Sequence, residues 1–505
     1  MPQHPMNTPR PTSPRIQAAP PTLRRAGRRY RLTLAGVVAA FVLLVAAGPA
    51  AAYTSQYEFT INGHGWGHGI GMSQWGAYGY AKHGWKYKAI LRHYYTGISF
   101  SNVADSVIRV RLRSGLGSVK VSCPKDYTVK GTGAASTIPA GVTATTTYTG
   151  SAYRVVAGAF RKDFTAAPTF SPTSAALRIL TATDLGDTGA YRGTIKVARV
   201  GGALMMINHV RLESYLRGVV PHEVSPSWPP ESLKAQACAA RAYSLGSRQP
   251  DEAWDVYCDV RDQAYVGVGI EDARTDAAVR GTAGICPTYA GKPIFAAYFS
   301  CSGGHTENIE LAWSGASKIP YLKGVSDPYD HYGSLHDWGP LHRSASQVGG
   351  PLAANGSLRA VYTVKRGTSP RIVKAAIIGS GGTKYIDGGS LRIKLGLNSA
   401  WAVIRSMSIS PAARDGVSIT AGRKLTLKGR LYPALAAGAS VTLHYYYDGR
   451  WRSRSVATTR TAETLPGGYT ARYSAYSDSV SPAQTTKYYF SSGKAESPVT
   501  TITVD

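Results

Sequence analysis

The sequence predicts an α+β fold, in which a mixed, β-rich domain of catalytic type with one prominent helix precedes an all-β sandwich of immunoglobulin-like type. The helix is expected over about Pro229–Leu245. Ser227 and Glu231 give it a start signal of cap and first-turn acid, and Gly246 ends its Ala-rich stretch. From about Ile409 onward, short runs alternate apolar and polar residues between Gly, Asp and Pro turns, which is typical of a small sandwich.

These patterns divide the 505 residues into three parts. Residues 1–52 are expected to be a leader, 53–408 the mixed domain and 409–505 the sandwich, whose expected role is a spacer or a binding module. Within the mixed domain, a glycine-rich block occupies 58–98 and the remainder runs over 99–408. A chain of this length can form two or three cores, and its 43% apolar residues exclude a disordered chain.

The first 52 residues have the three parts of a secretory signal. Arginines cluster over Arg24–Arg31, an apolar run follows over Leu32–Ala47, and Ala50–Ala52 form an A-x-A site. The apolar run is shorter than the roughly 20 residues that a bilayer requires, so we expect cleavage before Tyr53 in preference to an uncleaved anchor. The mature protein is then expected to be secreted and to keep no stable membrane span.

The chain is strongly basic, with 57 Lys and Arg against 29 Asp and Glu and a net charge of +28. Its cations are scattered and form no long basic tract after the leader, and an exported protein does not meet cytosolic nucleic acid, so a nucleic-acid partner is not expected. Tyrosine is abundant, with 32 residues against 9 Phe, and its hydroxyl-bearing ring suits wet, sugar-facing surfaces. The favoured partner is an anionic cell envelope.

Five cysteines follow the leader, and none of them forms a C-x-x-C pair. A structural zinc site needs about four ligands at compatible spacing, so neither zinc nor another cofactor is expected. In an oxidising compartment one or two disulfides are expected, which leaves at least one thiol over, and the pairing stays open. The cysteines are Cys123, Cys238, Cys258, Cys286 and Cys301.

Two segments carry the candidate chemistry. In the first, residues 63–81, glycines alternate with His64, His68, Ser73 and Gln74, so the backbone can approach a ligand or another chain segment closely. It lacks the Gly-Lys-Ser/Thr ending of a phosphate loop, and its His-x-x-x-His pair lies on a flexible segment that is a poor metal cage. A structural or substrate-contacting role is expected, with an amphipathic helix over about 81–95 packing it down.

In the second segment, Glu223 is flanked by Pro221, Pro226 and Trp228. A carboxyl held among apolar and aromatic neighbours should have a raised pKa, as a general acid near neutral pH requires. The alternative is an exposed loop glutamate. Arg241, on the following helix, is expected either to return to Glu223, to clamp a ligand or to lie on the helix surface.

Five blocks of this sequence together resemble the family of stage II sporulation protein D (SpoIID) and the amidase enhancer LytB. The resemblance covers most of residues 58–401. In the family the Gly-His-Gly block follows the Ser-Gly-Gly block, whereas here it comes first, as in a circular permutation. Because domain ends often lie close together, the segment 65–74 is predicted to lie near Glu223. The blocks are Gly218-Val-Val-Pro-His-Glu-Val, Leu233-Lys-Ala-Gln-Ala, Tyr298-Phe-Ser-x-Ser-Gly-Gly-His, Pro320-Tyr-Leu-Lys-Gly-Val and Gly65-Trp-Gly-His-Gly-Ile-Gly-Met-Ser-Gln.

The resemblance implies a secreted lytic transglycosylase that acts on peptidoglycan glycan strands, either intact or stripped of their stem peptides. Glu223 would be the single acid/base and would produce 1,6-anhydro-muramic ends, whereas a hydrolase would use two carboxyls. Arg241, Tyr321 and Lys323 are implied as substrate contacts. Weaker family positions are matched by Gln263, Tyr265, Ser302, Gly303, Gly304, His68 and Gln74.

The alternative is a non-catalytic wall-binding protein or amidase enhancer, which would present glycan to a partner amidase. The sequence departs from the family at Val224 and at Cys238, Cys258 and Cys301, and it has no match for the family's metal-binding His and Cys set. A role in sporulation does not follow from the resemblance, because the family extends beyond spore formers.

Overall fold

The computed structural model of the protein describes residues 54–505, so the expected leader at 1–52 lies outside the described residues. Over 54–505 no helix combines the length and the apolar character needed to cross a membrane. The described residues form 32 strands and eight α-helices. The predicted mixed, β-rich α+β fold is thereby confirmed.

The elements are named in chain order. The chain begins with β1 (Gln56–His64), β2 (Met72–Ser73), α1 (Gln74–Lys82), α2 (Tyr87–Tyr94) and β3 (Ser99–Asn102). Twelve strands follow: β4 (Val107–Leu116), β5 (Ser118–Ser122), β6 (Tyr127–Lys130), β7 (Ser136–Ile138), β8 (Ala144–Tyr148), β9 (Tyr153–Ala157), β10 (Phe160–Phe164), β11 (Thr169–Pro172), β12 (Leu177–Ile179), β13 (Gly189–Tyr191), β14 (Thr194–Val200) and β15 (Ala203–Arg211).

The central part contains α3 (Leu212–Glu223), α4 (Pro230–Gly246), β16 (Val256–Tyr257), α5 (Ala273–Gly281), β17 (Ile285–Tyr289), β18 (Lys292–Pro293), β19 (Tyr298–Phe299), α6 (Ile309–Ala312), β20 (Asp337–Ser344), α7 (Ala345–Gly349), β21 (Leu358–Arg366), β22 (Ile372–Gly379), β23 (Gly382–Asp387), α8 (Gly388–Leu395) and β24 (Ala402–Ile409). The last part contains β25 (Ser418–Ile419), β26 (Leu425–Tyr432), β27 (Ser440–Tyr447), β28 (Arg450–Thr464), β29 (Thr470–Val480), β30 (Thr486–Ser492), β31 (Ala495–Glu496) and β32 (Thr500–Val504). Short 3-10 turns lie at Gly267–Ile270, Asp330–Tyr332, Ala413–Asp415 and Pro466–Gly468.

The largest core joins two sheets to three helices, α3, α4 and α5. A seven-stranded sheet (β16-β4-β15-β14-β11-β6-β7) and a six-stranded sheet (β10-β9-β8-β5-β12-β13) contribute most of its strand residues. In β4 the buried side chains alternate as Ile108, Val110 and Leu112, the period of a strand with one face in the core. The three helices complete this core, so the helix that carries Glu223 rests on a packed apolar base.

The predicted prominent helix is α4, observed at Pro230–Gly246 against the expected 229–245. Its Ala-rich sequence is explained by burial on two sides. Ala237 and Ala240 pack into the largest core, while Ala235 and Ala239 pack against α1 and α2 in a second core. Small side chains let the helix backbone approach both neighbours, so α4 connects the Glu223 helix with the glycine-rich block.

The glycine-rich block lies against the Ser-Gly-Gly block, although more than 200 residues separate them. β2 pairs in parallel with β19, and the backbones of Trp66 and Cys301 exchange hydrogen bonds of 2.7 and 3.0 Å. Gly71 has a φ of +73°, and a Cβ there would lie 2.0 Å from the carbonyl oxygen of Ala297. This close approach explains why glycine occupies the position. The expected amphipathic helix of this region is α2.

The C-terminal strands have a core of their own, built from β24–β32. The long strand β28 is shared, because its first half pairs with β27 and its second half with β29. β24 pairs with β1 on one side and with β26 on the other. The expected boundary at 409 falls within one continuous sheet, and the cores on its two sides interlock: Met407 packs in the C-terminal core, whereas Tyr432 and Leu465 pack in the core that β1 forms with β21 and β22.

The expected disulfides are wrong: all five cysteines are free and buried. Cys123 and Cys258 pack in the largest core and Cys238 and Cys286 in the second core, where thiols act as small apolar side chains. Cys301 instead donates to the carboxylate of Asp330 at 2.9 Å.

Candidate active site

Glu223 is the last residue of α3, where the sequence suggested a loop. Val224 turns the chain away in an extended conformation, with φ −139° and ψ 148°. The carboxyl thus projects from a fixed helix end, packed on the largest core. The negative end of a helix also disfavours a carboxylate, which helps to keep this group protonated.

Burial raises the pKa of the Glu223 carboxyl above its ordinary value, as the flanking prolines and tryptophan led us to expect. Hydrogen bonds with Gln74, the backbone of Ala264 and the hydroxyl of Tyr298 oppose the shift but do not cancel it. The carboxyl therefore keeps its proton to higher pH, and its three polar partners stabilise it once the proton has left. Such a group can both donate and accept a proton.

The predicted proximity of the glycine-rich block to Glu223 is confirmed. Gln74 Nε2 lies 3.3 Å from Glu223 Oε2. Gln74 is the first residue of α1, which begins there because the side chain of Ser73 accepts a hydrogen bond from the backbone of Gly76. A Cβ at Gly76 would lie 2.0 Å from the Tyr94 hydroxyl, so α1 sits too close to α2 for any other residue there.

Tyr298 is a site residue that sequence reasoning did not single out, although it opens the Tyr-Phe-Ser-x-Ser-Gly-Gly block. Its hydroxyl accepts a 2.8 Å hydrogen bond from Gln263 Nε2, which leaves its own proton for Glu223. Gln263 is oriented in turn, because Tyr215 and Ser244 donate to its Oε1 at 3.2 and 2.7 Å. Gln263, expected to contact substrate, is buried and positions Tyr298 instead.

Tyr265 and His68 are also used inside the protein and not on its surface. Tyr265 is buried and donates to Asn208 Oδ1 at 2.9 Å. His68 Nδ1 accepts from the backbone of Ile70 at 3.0 Å, and Nε2 reaches the Tyr298 carbonyl at 3.1 Å. Burial lowers the pKa of His68 to about 3, so this imidazole is neutral at neutral pH and holds the strand that carries Tyr298.

The Ser-Gly-Gly block is fixed by a buried carboxylate. Asp330 accepts backbone hydrogen bonds of 2.8 Å from both Ser302 and Gly303, and side-chain hydrogen bonds from Ser73, Cys301 and His336. Burial alone would raise the pKa of Asp330, but these donors hold it below the ordinary value. Gly304 donates to the Ser302 hydroxyl at 3.0 Å. The block therefore shapes the wall of the site through its backbone.

Cys301, Asp330 and His336 bring a thiol, a carboxylate and an imidazole within 4.8 Å of one another, and they are the group of metal-type ligands found in the described residues. Such a mixed donor set suits a zinc-like cation. Here the three side chains satisfy one another by hydrogen bonds, and burial raises the pKa of the Cys301 thiol, which keeps it protonated.

Arg241, which the resemblance implies as a substrate contact, lies inside the protein. Its side chain is fully buried, and its Nε and Nη2 donate to the two carboxylate oxygens of Glu213 at 2.8 and 2.7 Å. Its Nη1 donates to the Ile285 carbonyl at 2.9 Å. Arg241 was expected to reach Glu223, a ligand or solvent, and it instead ties α4 to the first turn of α3.

Tyr321 and Lys323 lie on the loop before the Asp330 turn. Tyr321 is half-buried, and its hydroxyl accepts from the backbone of Phe295 at 3.1 Å. Lys323 is exposed and forms no ion pair within residues 54–505. Lys323 is one of the substrate contacts that the resemblance implies, and its exposed ammonium group is available to an anionic ligand.

An aromatic rim, defined as Trp75, Tyr78, Trp228 and Tyr332, borders this region. Trp75 and Trp228 have ring centroids 4.7 Å apart, Tyr78 lies 5.2 Å from Trp228, and Tyr332 lies 5.4 Å from Tyr78. Trp75 directly follows Gln74, and Trp228 lies in the segment between α3 and α4, so the rim is attached to both elements that meet at Glu223. Partly exposed rings of this kind offer stacking faces together with polar edges.

The chain resembles known proteins over the region that carries this site. Residues 200–289, which contain Glu223 and α4, match the family model SpoIID, described as stage II sporulation protein. The chain is 33% identical over 212 residues to stage II sporulation protein D of Bacillus subtilis, covering 38% of this chain and 60% of the relative. It is 40% identical over 119 residues to an amidase enhancer of the same organism, covering 23% of this chain and 15% of that protein.

A further relative, an uncharacterized protein of Brachyspira hyodysenteriae, is 36% identical over 142 residues, which are 27% of this chain and 37% of that protein. The chain therefore spans between about a third and three fifths of the first curated relatives that it matches. No solved structure matches the chain significantly.

Proposed function

We propose that the chain, which resembles the SpoIID family over residues 200–289, is an exported lytic transglycosylase that cleaves peptidoglycan glycan strands. The observation that carries the proposal is the Glu223 carboxyl, which has a raised pKa and is held by Gln74 and Tyr298 at a fixed helix end. The relatives' names support a function at the cell wall, and the chemistry is inferred from the site.

One carboxyl suffices for this reaction because the substrate supplies its own nucleophile. Protonated Glu223 gives its proton to the glycosidic oxygen, and the bond from that oxygen to the anomeric carbon of muramic acid breaks. The resulting carboxylate then accepts the proton of the C6 hydroxyl as that oxygen bonds to the anomeric carbon. The product is a 1,6-anhydro ring, and Glu223 ends the cycle protonated again.

The surroundings of Glu223 suit a carbohydrate substrate that carries carboxylates. The aromatic rim supplies faces for sugar rings, and the resemblance adds Lys323, an exposed cation, as the contact for a lactyl or stem-peptide carboxylate. We also propose secretion to the wall through the leader at 1–52. Removal of its seven arginines takes the net charge from +28 to +21, and a mature protein of this charge suits an anionic envelope as its partner.

A non-catalytic amidase enhancer is the second candidate function. It is supported by the 40% identity over 119 residues to an amidase enhancer, and a scaffold that only presents glycan to a partner amidase would use Gln263, Tyr265 and His68 internally as this chain does. Such a protein would bind wall material without cutting it.

A digest of purified glycan strands, both intact and peptide-stripped, decides between the two functions. We expect the purified protein to release fragments with 1,6-anhydro-muramic ends, identified by mass spectrometry. A difference between the two substrates would show whether stem peptides must be removed first. Tight binding of both strands without any new ends would overturn the transglycosylase and support the enhancer.

Replacing Tyr298 with Phe is expected to move the pH profile of cleavage upward. The Tyr298 hydroxyl lowers the pKa of Glu223, so its removal raises that pKa further, and the protonated acid persists to higher pH. The measurement is kcat/KM against pH, in which the alkaline limb should shift.

Tyr243→Phe is the matched control for Tyr298→Phe. The Tyr243 hydroxyl donates to Asp262 at 3.0 Å and makes no hydrogen bond to Glu223. This variant should keep the wild-type alkaline limb. An unmoved limb in Tyr298→Phe, at unchanged stability, would show that the hydroxyl does not act on the proton of Glu223.

A further inference from the structure

A cleft of about 710 Å³ lies away from Glu223, between the N-terminal strand β1, the β21–β22 hairpin and the C-terminal strands. It shares no lining residue with the candidate active site. Four cations line it, and no acid does. The rest of its wall is made of tyrosine and serine or threonine hydroxyls and small side chains. The cations are Arg359, Arg414, Lys428 and Arg430.

The strand β26 aims two of these cations into the cleft. Leu427 and Leu431 are buried in the C-terminal core, so the alternating residues Lys428 and Arg430 point to the opposite face. Lys428 is exposed and has no ion-pair partner among the described residues. The Arg430 guanidinium lies 4.7 Å from the ring of Tyr473, which fixes it at the wall.

Two acids, Glu463 and Asp415, lie next to this group, and neither of them lines the cleft. Arg359 meets Glu463 only at 3.8 Å, and the Glu463 carboxyl already accepts a 2.8 Å hydrogen bond from Tyr432. Arg414 donates to the Thr54 hydroxyl at 3.0 Å. Burial raises the pKa of the Tyr57 hydroxyl, while Arg430 and Arg359 lower it and Glu463 adds to the rise.

Cations gathered in a concave, partly desolvated space repel one another, and an anion entering that space is attracted more strongly than on an open surface. The hydroxyl groups around them can complete the coordination of anionic oxygens. Residues 1–53 contain seven arginines and no acid, so the protein's own leader has the wrong charge to fill the cleft.

We propose that this cleft is a second binding site, for a segment of a polymer that carries repeated carboxylate or phosphate groups. Arg359 and Arg430 are suited to grip such groups with paired N–H donors, and Lys428 acts as a point charge at the open side. A site of this kind anchors the protein to an anionic matrix independently of the chemistry at Glu223.

The test measures binding of the full chain to three soluble probes: oligogalacturonate for carboxylates, poly(glycerol phosphate) for phosphates and a neutral chitooligosaccharide. We expect the charged probes to bind, with affinity that falls as salt rises, and Lys428→Glu to weaken their binding by about tenfold. Whichever charged probe binds more tightly identifies the anionic group. None of the probes is a peptidoglycan strand, so the result does not depend on whether Glu223 cleaves glycan.

Lys424→Glu is the matched control, since Lys424 is exposed just before β26 and outside the cleft. It should change the affinity less than twofold, and thermal melting should show both variants folded. Equal weakening by Lys424→Glu would assign the binding to overall charge and overturn the site. Equal weakening of the neutral probe's binding by Lys428→Glu, or unchanged binding of the charged probes by a folded Lys428→Glu protein, would overturn it as well.

Discussion

Replacing Glu223 with Gln is expected to reduce the formation of 1,6-anhydro ends by a factor on the order of 10²–10⁴, the usual contribution of a positioned acid/base. The amide keeps the size of the side chain and can still meet Gln74 and Tyr298, but it can neither give nor take the proton. The measurement is the rate of anhydro-end release from purified glycan strands. Binding to those strands should persist, because the aromatic rim and Lys323 are unchanged.

The same substitution should leave the fold intact and raise its stability at high pH. Burial raises the pKa of Glu223, so the folded protein binds this proton more tightly than the unfolded chain does. The stability contributed by that proton is present at low pH and is lost as pH rises through the raised pKa. A neutral Gln has no such loss, so the melting temperature of Glu223→Gln should exceed that of the wild type above that pKa.

Glu252→Gln is the matched control, since Glu252 is an exposed loop carboxyl. It should keep full cleavage and show the same stability as the wild type. Continued release of anhydro ends by a folded Glu223→Gln protein would remove Glu223 from the mechanism. Absence of anhydro ends from the wild type itself would favour the amidase-enhancer function.

The elements that depend on local sequence could be predicted. Proline, an early acid and a terminal glycine defined α4 to within a residue at either end, because these signals act within a single turn. The raised pKa of Glu223 was predictable from its prolines and tryptophan for the same reason. The meeting of Gln74 with Glu223 came from the family resemblance, since no local signal joins residues 149 positions apart.

The partners of buried polar groups could not be predicted, because long-range packing chooses them. Glu213 and Arg241 are 28 residues apart and lie on different helices, and nothing in either segment distinguishes an ion pair from a ligand clamp. The role of Tyr298 could not be predicted for a similar reason. Its position at the site depends on a carboxamide that comes from a loop 35 residues earlier. The disulfide prediction failed because it rested on the oxidising compartment, which does not determine which thiols lie close enough to pair.

Arg241→Met is expected to lower the free energy of unfolding by about 3–5 kcal/mol, because it leaves the Glu213 carboxylate beside a buried methionine without its bidentate partner. The measurement is denaturant unfolding. Adding Glu213→Gln should restore part of the loss, since the uncompensated charge is then removed, and this recovery distinguishes a structural pair from two independent sites.

Lys323→Ala supplies the contrast, because Lys323 is exposed and free of ion pairs within 54–505. It should leave unfolding unchanged and raise the KM for glycan strands, as expected for a side chain that touches substrate only. Arg241→Met should show the reverse: a lower unfolding midpoint and, at temperatures where it remains folded, a KM close to that of the wild type. A normal midpoint with a raised KM would mean that Arg241 leaves Glu213 to bind the substrate, and the buried pair would then be one state of a switching side chain.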